Sequence, residues 1–294
     1  MSLIEKAVDR LGNPASQTAE RRIPRQSPRV VTEAEAAHAD LPGRGGPHEY
    51  GGEGIGAKLD FERLSRDGYL TPTSALDELV EQYRALKRPL LKKLLLSESA
   101  GKEAVNPVVV TSALAGEGKT FTAFNLAMSV AMERDLSVLL IDADLSQRSL
   151  SALLGLSGAR GLSDVLAGGR ANWTDAIVTT NVPKLSVMPA GGSHRFATEL
   201  LTSGQMRRFI REVADRYLDR LVLVDAAPVL RTTQAAALCD LAAQIVFVVE
   251  EGKTSVQAIQ EAIGLMGEDK AIGLVLNKSR RAWGGNYSPY YGGY

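Results

Sequence analysis

The chain has 294 residues, 45% of them hydrophobic, with 34 Lys and Arg set against 34 Asp and Glu. That length holds one α/β domain plus non-globular extensions, and the balanced charge argues against bulk attraction to nucleic acid. No apolar run nears the ~20 residues of a membrane span and no signal-peptide core opens the chain, while Cys239 and the scattered His38, His48 and His194 leave no basis for a disulfide or a metal cluster, so a reducing cytoplasm fits best.

Residues 1–12 read as a short amphipathic helix. Leu3, Ile4, Ala7, Val8 and Leu11 recur at helical spacing, and Ser2 with Glu5 makes a capping box. So short a helix is marginal alone, so its face is expected to dock, either on a partner or back on its own core. Residues 13–72 are assigned to a disordered linker, because the Pro-, Gly- and charge-rich composition cannot bury enough surface to offset ordering entropy. The folded domain is expected over 73–282, opening with a helix over 73–97 whose Leu76, Leu79, Val80, Tyr83 and Leu86 share a face. Pro89 falls inside that pattern and predicts a kink or a break. Short β-branched runs then alternate with helical patterns: Val108 to Val110, Val138 to Ile141, Leu185 to Met188, Leu221 to Val224, Ile245 to Val249 and Ile272 to Leu276. Such alternation predicts an α/β fold, a mostly parallel sheet with helices on both faces. The last stretch, 283–294, reads as a flexible tail.

The segment from Ser112 to Thr120 follows a predicted strand and opens a predicted helix, the setting that gives a phosphate-loop motif its meaning. Gly116 and Gly118 let backbone N–H groups curl around phosphate oxygens, with the backbone of Glu117 between them. The helix N-terminus adds free N–H groups, Phe121 included, and a favourable dipole. Lys119 is suited to the β- and γ-phosphates of ATP and Thr120 to Mg²⁺. The strict motif has glycine where Ala113 stands. Asp142 and Asp144 end one strand and Asp225 ends another. Ligands of parallel sheets sit beyond the carboxyl ends of strands, so all three aspartates and the loop are expected at one crevice, a Mg-nucleotide site.

From Val108 to Leu154, and from Asp225 through Glu250, the chain resembles bacterial protein-tyrosine kinases that use Walker motifs. The opening Met1 to Val8 and the Gly273 to Lys278 segment resemble the tyrosine autokinase branch associated with exosortase and exopolysaccharide clusters. The resemblance implies a P-loop NTPase architecture of ParA/MinD type. It implies that Lys119 and Thr120 hold ATP and Mg²⁺, that Asp142 lies near the metal and the incoming tyrosine hydroxyl with Asp144 supporting it, and that Asp225 completes the metal shell. Asn277 is expected either to read the adenine edge or to form an ordinary strand-end turn. Related kinases carry an Arg where Ser146 stands, for which Arg148 is a candidate substitute. Their oligomerisation motif corresponds to Glu81, Arg84 and Lys87, with Arg88 adjacent, and implies a homo-oligomeric ring. A membrane polysaccharide co-polymerase as activator, an opposing phosphotyrosine phosphatase and a cytoplasmic location at the inner membrane follow from the same resemblance.

Four of the eight tyrosines, Tyr287, Tyr290, Tyr291 and Tyr294, stand in the last eight residues among Gly, Ser and Pro. Given the phosphate loop, they are expected to be the phosphorylated groups. A ParA/MinD-like positioning ATPase is the rival reading, although the signature lysine of those proteins has no counterpart in Ala113 to Ala115. A non-catalytic nucleotide-binding scaffold is the other.

Overall fold

The computed structural model describes residues 56–74, 78–99, 107–168, 172–216, 220–267 and 270–279. The helix expected over 1–12, most of the linker and the tyrosine tail lie outside the described residues. Within them the β-branched runs form strands β1 (Val108–Ser112), β2 (Ser137–Asp142), β4 (Leu185–Met188), β5 (Arg220–Asp225), β6 (Gln244–Glu250) and β7 (Ala271–Asn277), with a short β3 (Val178–Thr179). They make one seven-stranded sheet in the order β3-β4-β2-β5-β1-β6-β7. Every neighbouring pair is parallel except β3 with β4.

Parallel neighbours need crossovers, and helices supply them. These are α3 (Lys119–Ala131), α4 (Ser149–Leu153), α5 (Leu162–Ala167), α6 (Ala197–Thr202), α7 (Gly204–Arg216), α8 (Thr233–Leu241) and α9 (Val256–Leu265), preceded by α1 (Phe61–Arg66) and α2 (Glu78–Ser99). Side chains alternate across the sheet. Val108, Val110, Val138, Leu140, Leu221 and Leu223 pack with Leu64 of α1, Tyr83 of α2 and Phe124 of α3 on one face. Val109, Leu139, Ile141, Val222 and Val224 pack with α5 to α9 on the other. Burial on both faces is why these strands read as continuous apolar runs rather than alternating ones.

Two expectations are corrected. Residues assigned to the linker up to 72 are folded from residue 56 on: α1 is capped by the Asp60 side chain accepting from the Arg63 N–H at 3.0 Å. Leu59, Leu64 and Leu70 are buried against the core, and the Leu70 N–H donates to Asn125 Oδ1 at 2.7 Å. Three spaced leucines were enough to anchor a segment whose average composition is polar. Of the kink or break expected at Pro89, the break does not occur: α2 runs unbroken through it. Its ring is exposed, while Val80, Tyr83 and Lys87 before it and Leu90 after it are buried. Packing on both sides of the proline offsets the backbone hydrogen bond it forfeits.

Candidate nucleotide site

β1 ends at Ser112, and the loop turns through Gly116 (φ 85°) and Gly118 (φ 95°) into α3. Both angles lie in the left-handed region, where a Cβ is strained. Gly118 serves as the N-cap and makes no side-chain capping bond, so the first amides of α3 are left for a ligand. Glu117 is buried: its Oε2 accepts the Leu114 N–H at 2.6 Å, and its Oε1 meets the Thr254 hydroxyl.

The carboxylates gather beside this loop. Asp142 and Asp225 are register partners on adjacent strands β2 and β5, so they share one face at the sheet's carboxyl edge. Asp142 Oδ2 accepts from the Ser151 N–H at 2.8 Å and from its hydroxyl at 2.6 Å, whereas Oδ1 has no partner among the described residues. Burial raises the Asp142 pKa, opposed by those Ser151 bonds. Asp225 is fully buried beside the Thr120 hydroxyl, and neither of its oxygens makes a geometrically sound hydrogen bond among the described residues. Its pKa is pushed up to about 7, chiefly by burial, with Lys119 pulling it down and Asp142 pushing it up. Lys119 Nζ lies 3.0 Å from Asp144 Oδ2, and Asp144 Oδ1 accepts the Gln147 N–H at 3.1 Å.

Orphaned carboxylate oxygens in the interior are costly unless a cation or proton meets them. Three of them between Asp142 and Asp225, with Thr120 beside Asp225, are hard oxygen donors of the kind a divalent cation takes. The loop of free amides with Lys119 at its end fits the phosphates. The residues present therefore suit Mg²⁺ and ATP.

Comparisons with known proteins agree with this geometry. The family model AAA_31, described as an AAA domain, matches residues 107–270. Tyrosine-protein kinase CpsD of Streptococcus agalactiae is 30% identical over 197 residues, which covers 65% of this chain and 83% of that protein. The chain belongs to the bacterial tyrosine-protein kinases of the Walker-motif family. The succinoglycan biosynthesis transport protein ExoP of Rhizobium meliloti is 30% identical over 275 residues, 92% of this kinase, which spans only 33% of that longer relative. Among solved structures, the kinase domain of Escherichia coli tyrosine kinase ETK superimposes with a TM-score of 0.61 at 26% identity, covering 79% of this chain and 94% of that one.

Within the kinase, the structure brings together Gly116, Glu117, Gly118, Lys119, Thr120, Asp142, Asp144 and Asp225. Lys119 among them is buried and ion-paired with Asp144. Phe121 turns its ring onto Tyr69, with centroids 4.9 Å apart. Asn277 aims its amide at the loop itself, donating to the Glu117 carbonyl at 2.9 Å. Arg148 is held by the Leu145 and Gly192 carbonyls, so it braces the loop after β4. Of the residues expected at an oligomer interface, Glu81 and Arg84 form an exposed ion pair and Arg88 is exposed. Lys87 is not available for an interface: its Nζ is buried, 2.6 Å from Glu133 Oε1 and 2.8 Å from the Ser129 carbonyl. Ser151 was missed by sequence reasoning. It sits nine residues beyond Asp142 in a helix of five residues, and no motif marks it. Among the described residues no helix is long and apolar enough to cross a membrane.

Proposed function

We propose that this kinase transfers the γ-phosphoryl group of ATP to the tyrosines of its own tail, Tyr287, Tyr290, Tyr291 and Tyr294. The observation that carries the reading is the pair of register-matched aspartates with unmet oxygens beside a phosphate loop and a buried lysine. Thr120, Asp142 and Asp225 would hold Mg²⁺, which neutralises phosphate charge when bound. The free loop amides bind and orient the β- and γ-phosphates, and Lys119 leaves Asp144 to meet the charge that develops on transfer. Asp142 has the raised proton affinity of a general base. It takes the proton of the tyrosine hydroxyl as the new O–P bond forms and the bond to ADP breaks. Ser151 fixes the carboxylate so that its other oxygen faces the crevice.

Transfer in trans within a homo-oligomeric ring fits the exposed Glu81, Arg84 and Arg88 on α2 together with a last strand, β7, that ends at the same sheet edge as the crevice. Several phosphotyrosines would repel the carboxylates and ATP, expel the tail and loosen the ring until a phosphatase restores it. A polysaccharide co-polymerase in the inner membrane would recruit and activate the kinase from the cytoplasmic side. The succinoglycan transport relative supports that connection to exopolysaccharide export. The test mixes a Lys119→Met chain bearing an intact tail with an active chain whose four tail tyrosines are Phe. Phosphate is expected on the inactive chain and is reduced by Glu81→Ala with Arg84→Ala. An unlabelled inactive chain would rule out transfer in trans.

A further inference from the structure

The phosphate loop is held from behind by Asn277, the last residue of β7, and by Lys278 after it. Lys278, at φ 56°, puts its Nζ 2.7 Å from the Gly116 carbonyl and 3.1 Å from Glu250 Oε2. Asn277 donates its side-chain N–H to the next carbonyl along, that of Glu117, at 2.9 Å. The approach is so close that a Cβ on Gly118 would stand 2.0 Å from Asn277 Nδ2. In a trans peptide the carbonyl and the following N–H point in opposite directions. A donor that fixes the Gly116 carbonyl therefore fixes the Glu117 N–H the other way, and one that fixes the Glu117 carbonyl does the same for the Gly118 N–H. Neither of these N–H groups has an acceptor among the described residues. Two successive carbonyls are tied down and two successive amides are left open, which is the arrangement an anion-binding turn requires. Glu117 adds a third restraint through the Leu114 N–H and Thr254.

We propose that Asn277 and Lys278 are positioning residues for triphosphate recognition: by bonding the Gly116 and Glu117 carbonyls they set two peptide planes of the phosphate loop with the amides facing the ligand. Without them the left-handed glycines would allow either peptide to turn over, and a carbonyl would face the phosphates. The inference rests on the reading of this loop as the ATP site. It assigns Asn277 to the loop backbone and not to the adenine. It also makes the root of the tyrosine tail part of the nucleotide site, since Lys278 lies nine residues before Tyr287.

Calorimetric titration with two probes, ATP and base-free inorganic tripolyphosphate, each with Mg²⁺, separates the possibilities. Lys278→Ala and Asn277→Ala are expected to weaken both ligands by the same factor, about tenfold. Lys278→Arg, which keeps a charged donor, recovers most of the affinity. The Lys278→Ala loss persists at ~1 M salt, where screening removes attraction beyond about 3 Å. The unfolding temperature of the apo Lys278→Ala chain stays at the wild-type value, because the side chain is 48% exposed and outside the core. Loss of ATP binding alone in Asn277→Ala, with tripolyphosphate unaffected, would make Asn277 an adenine reader and overturn the proposal. A Lys278 effect that vanishes in salt would reduce that residue to long-range attraction and overturn it as well. Unchanged affinities in both alanine variants overturn this inference alone, whereas a wild type that binds neither probe overturns the nucleotide reading with it.

Discussion

Asp225→Asn separates what the metal site costs the empty protein from what it does for the loaded one. In the folded state the Asp225 carboxyl keeps its proton up to about pH 7, against an ordinary value of 3.8. A folded pKa above the unfolded one makes this group most favourable to stability below the unfolded pKa, and that advantage is lost as pH rises through the folded pKa. The shift of about three units is worth ~4 kcal/mol in full, of which ~1–2 kcal/mol is already felt near pH 5 and all of it near pH 8. Asparagine keeps the shape, carries no charge at either pH, and leaves a buried amide whose cost of ~1–3 kcal/mol does not depend on pH. The stability advantage of the variant over wild type should therefore be ~3 kcal/mol larger near pH 8 than near pH 5. For a domain of this size that widens the gap in unfolding temperature by about 6–12 °C. The assay is thermal unfolding of the metal-free and nucleotide-free proteins at the two pH values, repeated with Mg-ATP. Wild type should gain stability from the ligand by linkage, and the variant should gain much less. A gap between the two proteins that is the same at both pH values would refute the assignment of Asp225 as an unmet buried carboxylate.

Lys87→Ala and Arg84→Ala should part company although they lie three residues apart on α2. The first leaves Glu133 and the Ser129 carbonyl without their buried donor and should cost about 1–3 kcal/mol in urea unfolding, while the second should change stability by less than ~0.5 kcal/mol and alter only the mass of the assembly. Ser151→Ala removes a hydroxyl donor from Asp142 and its acceptor for the Ala190 N–H. Because that donor opposes the burial that raises the Asp142 pKa, its loss moves the acidic limb of the pH–rate profile upward and lowers the rate near neutrality by about tenfold, measured as initial rates across pH.

The phosphate loop and the three strand-end aspartates were legible because each is a local signal: glycines before a Lys-Thr pair, and a carboxylate closing an apolar run. The strands of the sheet were legible for the same reason, since burial on both faces leaves runs such as 138–141 without a polar break. β3 has two half-buried residues and exists through its pairing with β4, so no run announces it. α1 was hidden in a segment whose average is polar, where only the positions of Leu59, Leu64 and Leu70 matter. Lys87 shows the limit of a helical wheel: the pattern says that a residue faces inward or outward, not that an ammonium there reaches a carbonyl on α3. Asn277 and Lys278 meet the loop across a separation of 160 or more residues, which strand order decides and spacing along the chain does not.

The reaction that defines this kinase is the transfer of phosphate from ATP to the tail tyrosines proposed above. Peptide mass spectrometry after incubation with Mg-ATP tests it most directly, on wild type, on Lys119→Met and on the chain with all four tail tyrosines replaced by Phe. Phosphotyrosine is expected at Tyr287, Tyr290, Tyr291 or Tyr294 in wild type and none in Lys119→Met, with a fold confirmed by circular dichroism. The Phe-tailed chain should still consume labelled ATP when an intact inactive tail is added, if the kinase transfers phosphate to tail tyrosines. Phosphotyrosine in folded Lys119→Met at the wild-type level, or a wild-type tail that stays unmodified while the nucleotide is bound, would contradict it.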